Sequence, residues 1–254
     1  MKSIYTRGLS ALLLAASCAA ALAGEGAVTE KRAIDARIVR VKLDGAIDVK
    51  LRQGEPASLT IIGDKRWVEK TSTTMNGDTL NIDTEMRGMQ LHRTDLRAEL
   101  VLPHLRELSS EGVGSTEVSG FSGEDLDVLL DGAGAMKINC KYKMLSATLG
   151  GVGSLNIQGA DSDGVDLNLR GAGFVTLSGH GKWMKANLGG LGGLDSQQFQ
   201  VDTVNLELSG LGNATITARQ SASLNLSGLG SVTVYGKPAT RNVSVDGLGH
   251  VSWK

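Results

Sequence analysis

The sequence predicts an all-β fold, a parallel β-solenoid of about eight stacked coils, and three observations carry that expectation. A Gly-x-Gly motif recurs from residue 108 onward, its first glycines being Gly112, Gly132, Gly151, Gly171, Gly190, Gly210, Gly228 and Gly247, at intervals of 20, 19, 20, 19, 20, 18 and 19. Apolar residues keep fixed places around it. Leu130, Leu149, Leu169, Leu188, Leu208, Leu226 and Val245 stand two before the later glycines, with Leu108 ahead of the first. Thr116, Met136, Leu155, Val175, Leu194, Ala214, Val232 and Val251 stand four after, and a further, mostly apolar column stands six after. Finally, 34 of the 254 residues are Gly, nearly double the usual ~7%, while Trp, Tyr and Phe contribute three each.

Apolar positions two apart on both sides of a glycine pair read as strand, turn, strand. A helical repeat is excluded by that spacing and by glycine's poor helix propensity. A period near nineteen is too short for a propeller blade but fits one solenoid coil, which buries its apolar face only by stacking on neighbours. The scarcity of aromatics follows, because a narrow interior is filled by ladders of Leu, Val, Ile and Ala. The second glycines of the motif are Gly114, Gly134, Gly153, Gly173, Gly192, Gly212, Gly230 and Gly249. Two readings explain the glycines: both point into an interior too narrow for a side chain, or one supplies a positive φ in a tight turn.

Residues 24–107 are less regular but strand-like. Ala36 to Leu43 and Ile47 to Leu51 alternate, Asn76-Gly77-Asp78 is a turn before Leu80-Asn81-Ile82, and Leu100-Val101-Leu102-Pro103 closes the region. Without a Pro- or Ser-rich linker, residues 24–254 read as one β-solenoid domain, with 24–107 forming irregular coils that cap the regular repeats of 108–254.

The N-terminus gives an address. Lys2 and Arg7, the apolar run Leu9 to Ala16, and Ala21-Leu22-Ala23 before Gly24 read as a secretory signal peptide over residues 1–23. The alternative is a lipoprotein signal with Cys18 carrying the lipid. The expected locale is therefore periplasmic or secreted, or membrane-anchored through Cys18. Removing the leader leaves 24 basic against 27 acidic residues, a charge of −3. That balance excludes a strongly basic nucleic-acid binder, and no later apolar run reaches the roughly 18 residues of a membrane span. Cys140 shares strand parity with Met136 and Ile138, which predicts a buried thiol.

No constellation points to catalysis, a cofactor or a metal. Asp161, Asp163 and Asp166 cluster, but the first two sit with Ser162 and Gly164 in a turn-like stretch, and Asp127 and Asp131 read as an outward solubilising face. Gly189-Gly190-Leu191-Gly192-Gly193-Leu194-Asp195 resembles a calcium-binding nonapeptide, yet Leu194 stands where a ligand Asp belongs. His92, His104, His180 and His250 have no metal-ligand spacing. Lys141, Lys143, Lys182, Lys185, Arg219, Lys237 and Arg241 fall near the second turn of successive coils, among acids, and read as a mixed solvated face.

The remaining candidate is the residue between the two glycines: Val113, Ala133, Val152, Ala172, Leu191, Leu211, Leu229 and Leu248. Strict alternation points it outward, where eight apolar side chains would form an interaction strip strongest at Leu191, Leu211, Leu229 and Leu248. A turn that breaks alternation would bury it as core.

The alternating N-terminal segment, Val101-Leu102-Pro103-His104-Leu105-Arg106-Glu107-Leu108, and the Gly-x-Gly coils resemble the GIN domain, the head domain of autotransporter-adhesin type. The resemblance implies a right-handed β-helix of about eight turns and a role in cell adhesion, and attaches no catalytic residues. The chain closes inside a coil at Trp253-Lys254 without a heptad stalk, so a soluble exported domain is expected. The functions in contention are a non-catalytic envelope protein that binds an unknown protein or surface glycan, a structural solenoid that forms a homo-oligomer, and a polysaccharide-active enzyme.

Overall fold

The computed structural model describes residues 27–85 and 95–254. The signal peptide, Cys18 and His92 lie outside the described residues. Six strands run almost without interruption, each nearly a whole coil: β9 (Val113–Leu130), β10 (Ala133–Leu149), β11 (Val152–Leu169), β12 (Ala172–Leu188), β13 (Leu191–Leu208) and β14 (Leu211–Leu226). Each pairs in parallel with the next. β15 (Leu229–Tyr235) and β16 (Thr240–Val245) together make a further coil on β14, and β17 (His250–Trp253) pairs with β15. The result is a β-solenoid of about seven turns, with the motif at Gly247 opening a partial eighth.

Inside each coil two alternating runs face the core. In β10 these are Met136, Ile138, Cys140 and Tyr142, then Leu145, Ala147 and Leu149, all buried. Parity slips at Lys143 and Met144, both exposed, which marks a second corner opposite the Gly-x-Gly corner. The interior is a set of apolar ladders, such as Leu130, Leu149, Leu169, Leu188, Leu208 and Leu226, each nearly or fully buried.

The alternation of 20- and 19-residue intervals has its cause at the second corner. There the longer coils carry an extra residue that shifts the register, between Ser119 and Ser122 in β9 and between Ile157 and Ala160 in β11. Gly120 (φ 83°) and Gly159 (φ 67°) absorb it in left-handed conformations. Three aromatics of this side each lie where a side chain on a neighbouring coil's glycine would stand: Tyr142 at Gly123, Trp183 at Gly164 and Phe199 at Gly181. Tyr142 also donates its hydroxyl to the Leu105 carbonyl at 2.7 Å, tying the solenoid to the segment just ahead of Glu107.

The irregular N-terminal part continues both faces and ends them. β2 (Arg40–Asp44) pairs in parallel with β6 (Thr79–Thr84) and β8 (Glu107–Ser110), while β3 (Asp48–Gln53) pairs with β7 (Arg97–Leu102) and β9. Two strands then run against the grain: β4 (Ser58–Asp64) is antiparallel to β7 and to β1 (Ala27–Arg32), and β5 (Thr71–Asn76) is antiparallel to β6. The β5–β6 turn uses Gly77 at φ 63°. Among the described residues one helical segment, α1 (Lys65–Lys70), departs from the all-strand expectation; Asp64 caps it by accepting from the Arg66 N–H. Arg32 holds this end together by donating to the carbonyls of Thr71 and Val68, and Arg40 bridges Asp78 and Glu107 across coils.

Neither sequence reading of the corner glycines is the main reason for them. A Cβ at any of the first glycines, Gly112 through Gly247, would collide with the carbonyl oxygen of the corner glycine one coil earlier. The second column behaves alike from Gly134 to Gly230, and Gly114 meets the Ile47 carbonyl instead; Gly249 has most room, with the nearest atoms at 3.0 and 3.3 Å. The obstacle is therefore the neighbouring backbone along the solenoid axis, not a far wall of the core. Positive φ adds to it at Gly114 (144°), Gly153 (157°) and Gly192 (145°). The ladder reaches below the repeat, because Gly112 stacks on Gly45, itself at φ 79°.

The adjacent pair Gly189 and Gly190 gives an internal control. A Cβ at Gly189 meets only Ser209 Oγ at 3.5 Å and the Leu169 carbonyl at 3.9 Å. Gly190→Ala should therefore destabilise the fold by a few kcal/mol, whereas Gly189→Ala should be neutral or stabilise by up to about 1 kcal/mol. Urea denaturation of the two variants checks this, and equal effects would contradict the stacking account.

Candidate interaction surface

Alternation runs unbroken through the Gly-x-Gly corner. Leu149 is buried, Gly151 and Gly153 turn their missing side chains toward the preceding coil, and Val152 between them is 62% exposed. The same holds at Val113, Leu191 (55%), Leu211, Leu229 and Leu248 (86%). Ala133 is exposed, and Ala172 half-buried. Register places these side chains directly above one another: Ala133 on Val113, Val152 on Ala133, Ala172 on Val152, Leu191 on Ala172, Leu211 on Leu191 and Leu229 on Leu211. At about 4.8 Å per coil they form one continuous apolar ridge.

Beside the ridge lies a shallow groove of about 860 Å³. Its floor is corner-glycine backbone, one wall is the ridge from Ala172 to Leu248, and the other is Gly189, Ser209 and Ser227. Arg170 closes one end and Asp246 the other, both exposed. Among the described residues Arg170 has no ion-pair partner, and Asp246 accepts only a long contact from Ser244 Oγ at 3.5 Å. Leucines half in water forgo roughly 1 kcal/mol each relative to burial. A solenoid that placed Ser or Asn here would avoid that cost, so the ridge is the feature of this surface that folding does not require.

The other candidate residues are placed as follows. Asp163 is engaged with Lys182 at 2.8 Å, and Asp161 stands beside His180 in the register without a hydrogen bond to it among the described residues. Asp127 and Asp166 share a column but Ser146 lies between them, two coils apart. Leu194 of the nonapeptide-like stretch is core at 1% exposure. No group of three or more His, Cys, Asp or Glu side chains suited to a metal ion occurs among the described residues. His104, His180 and His250 are exposed.

Sequence reasoning missed the order within the mixed-charge face. Glu124, Lys143, Asp163, Lys182, Asp202 and Arg219 lie on six successive coils at the second corner with alternating sign. Ion pairs join Lys143 to Glu124 at 2.8 Å, Lys182 to Asp163 at 2.8 Å and Arg219 to Asp202 at 3.1 Å. The hydrogen bond to Glu124, with its charge and that of Asp163, raises the Lys143 pKa. The acids occupy the 20-residue coils and the bases the shorter ones, a signal visible as a double period of about 39 residues.

The geometry just described has relatives. The family described as "Putative auto-transporter adhesin, head GIN domain" matches residues 39–238, and the chain belongs to that family. No curated protein matches it. Among solved structures it is similar to a "putative adhesin" from Parabacteroides merdae, with a TM-score of 0.77 and 18% identity over 91% of this chain and 97% of that one. It is also similar to a "putative adhesin" from Bacteroides fragilis, at 0.72 and 18% over 91% and 98%. A "putative lipid binding protein" from Parabacteroides distasonis gives 0.79 and 18% over 89% and 97%. At these identities the likeness establishes the fold.

Cys140 is 3% exposed, and burial pushes its thiol from 9.0 up to about 12. The folded state then holds a proton that the unfolded chain releases near pH 9. Stability should be undiminished below pH ~9 and fall by up to about 1.4 kcal/mol per pH unit above it. Urea denaturation at pH ~8 and ~10 should show the fall, Cys140→Ala should flatten it, and a pH-independent wild-type stability would contradict the burial.

Proposed function

We propose that this is an exported, non-catalytic adhesion protein whose working surface is the exposed ridge at the Gly-x-Gly corner. The observation that carries the reading is the ridge itself, six Val and Leu side chains exposed in one column of the solenoid. Contiguous exposed apolar strips of a few hundred Å² mark interaction sites. Membership in an adhesin-head family supports the same reading. The leader-like stretch over residues 1–23 supports export, to the periplasm or beyond, with Gly24 as the first mature residue. The acidic residues favour no catalytic reading. Asp163 and Asp202 are engaged with bases on neighbouring coils, and in the groove that Glu99 and Glu117 line, Lys50 stands between the two glutamates in the register.

The test expresses the full sequence in a bacterium. Most of the chain should be recovered outside the cytoplasm, beginning at Gly24 by mass spectrometry, and should be retained on intact bacterial cells in a pull-down. Leu211→Glu with Leu229→Glu should keep the circular dichroism and cooperative unfolding of the parent yet lose that retention. Diacylglycerol on Cys18 would replace the released form by a membrane-anchored one. A double variant that unfolds, or one that binds cells as the parent does, would remove the ridge from the reading.

A further inference from the structure

We propose that the ridge docks a second copy of this chain, antiparallel to the first, across a two-fold axis through the coil of Ser209, Gly210 and Leu211. The inference rests on the reading of the ridge as the working surface and names its partner.

The order of residues along the corner is self-complementary. The column just before the first glycine runs Arg170, Gly189, Ser209, Ser227, Asp246, with each N–H bonded to the same ladder of carbonyls, so the five stand in line. Turned end for end about Ser209, this column meets itself with Arg170 against Asp246 of the second copy, and Asp246 against its Arg170. Gly189 then meets Ser227, so small faces small between the two charged ends. The turn-centre column obeys the same symmetry. Leu211 meets Leu211, Leu191 meets Leu229, and the smallest member, Ala172, meets Leu248, the one that stands furthest into solvent. A surface that matches its own image in this way is what an isologous interface requires. Because both copies have the same rise of about 4.8 Å per coil, contacts stay in step along the strip. The parallel arrangement would set Arg170 on Arg170 and Asp246 on Asp246 and is disfavoured by like charge.

Other occupants fit less well. The groove is open, and among its lining side chains only Ser209 and Ser227, with the two end charges, can hydrogen-bond a sugar. An acyl chain laid on the glycine floor would keep one side in water and would leave Asp246 without a purpose. A strip of roughly a few hundred Å² falls short of the ~800 Å² per partner of a standard interface. The association is therefore weak for free molecules and becomes effective where many copies face one another on opposed surfaces.

Disulfide trapping reads weak contacts and fixes their register. Full-length chains carrying Leu191→Cys, Leu211→Cys or Leu229→Cys in a Cys18→Ser background are oxidised with copper-phenanthroline, singly and in mixtures, with the Cys18→Ser chain as control because the remaining cysteine, Cys140, is buried. Leu211→Cys should cross-link to itself, whereas Leu191→Cys and Leu229→Cys should cross-link to one another in preference to themselves. Arg170→Asp should reduce trapping of Leu211→Cys by about fivefold or more, and adding Asp246→Arg should restore it. Equal trapping in every combination, self-trapping of Leu191→Cys above its trapping with Leu229→Cys, or trapping no greater than the control would overturn the proposal. If trapping fails while the doubly Glu-substituted ridge still loses cell retention, the ridge serves a different occupant, such as a lipid or glycan, and the adhesion reading stands without this partner.

Discussion

The carbonyl oxygen of each corner glycine occupies the space where a side chain on the next coil would begin, and the rest of the solenoid is built around that approach. Because no Cβ intervenes, successive backbones stack closely at the corner and the parallel ladder continues through it: Val152 donates to the Gly132 carbonyl at 3.0 Å, and Leu211 to that of Gly190 at 3.1 Å. A corner that keeps its hydrogen bonds needs no loop, which is why strands such as β10 extend over almost an entire coil. The same geometry leaves alternation intact. With both glycines turned along the axis, the residue between them has one direction left, away from the core. The exposed ridge is thus a consequence of the stacking constraint, and its leucines are a separate choice made on a position the backbone dictates.

The opposite corner is relaxed. It absorbs an extra residue in β9 and β11 through left-handed glycines, tolerates aromatics against glycines of the neighbouring coil, and carries its charges outward in alternating sign. Exposed ion pairs contribute little to stability individually. Their value here is in register, since a coil displaced by one place along the axis would meet like charge on both sides. One corner fixes the spacing of coils and the other their order, while the buried ladders between them supply the apolar area that holds the stack together.

Much of this was legible in the sequence because a repeat displays its constraints many times. The columns of Leu130 to Leu226 and of Met136 to Val232 identified the inward positions, and all are buried. The strands around Val41 and Val49 were visible from local alternation, the turn at Gly77 from its Asn-Gly-Asp sequence, and the strand around Leu100 from its apolar run. Three things were not. The cause of the corner glycines lies between coils, at a distance of about nineteen residues, so single-coil reasoning offered an interior wall or a turn dihedral instead. The direction of Leu211 and its column hung on that same cause and was open to two answers. The short helix at Lys65–Lys70 and the antiparallel strands at the cap occur once each, with no repetition to reinforce a weak pattern.

The ridge stands on one claim, that stacking glycines turn the intervening residue into solvent while the residue two places before them is held in the core. Methyl NMR with a soluble nitroxide addresses it within single coils, by comparing Leu188 with Leu191, Leu208 with Leu211 and Leu226 with Leu229. The account predicts that the methyls of Leu191, Leu211 and Leu229 broaden strongly while those of Leu188, Leu208 and Leu226, at 5% exposure or less, stay sharp. Equal protection of both members of each pair would place the turn centres in the core and contradict it.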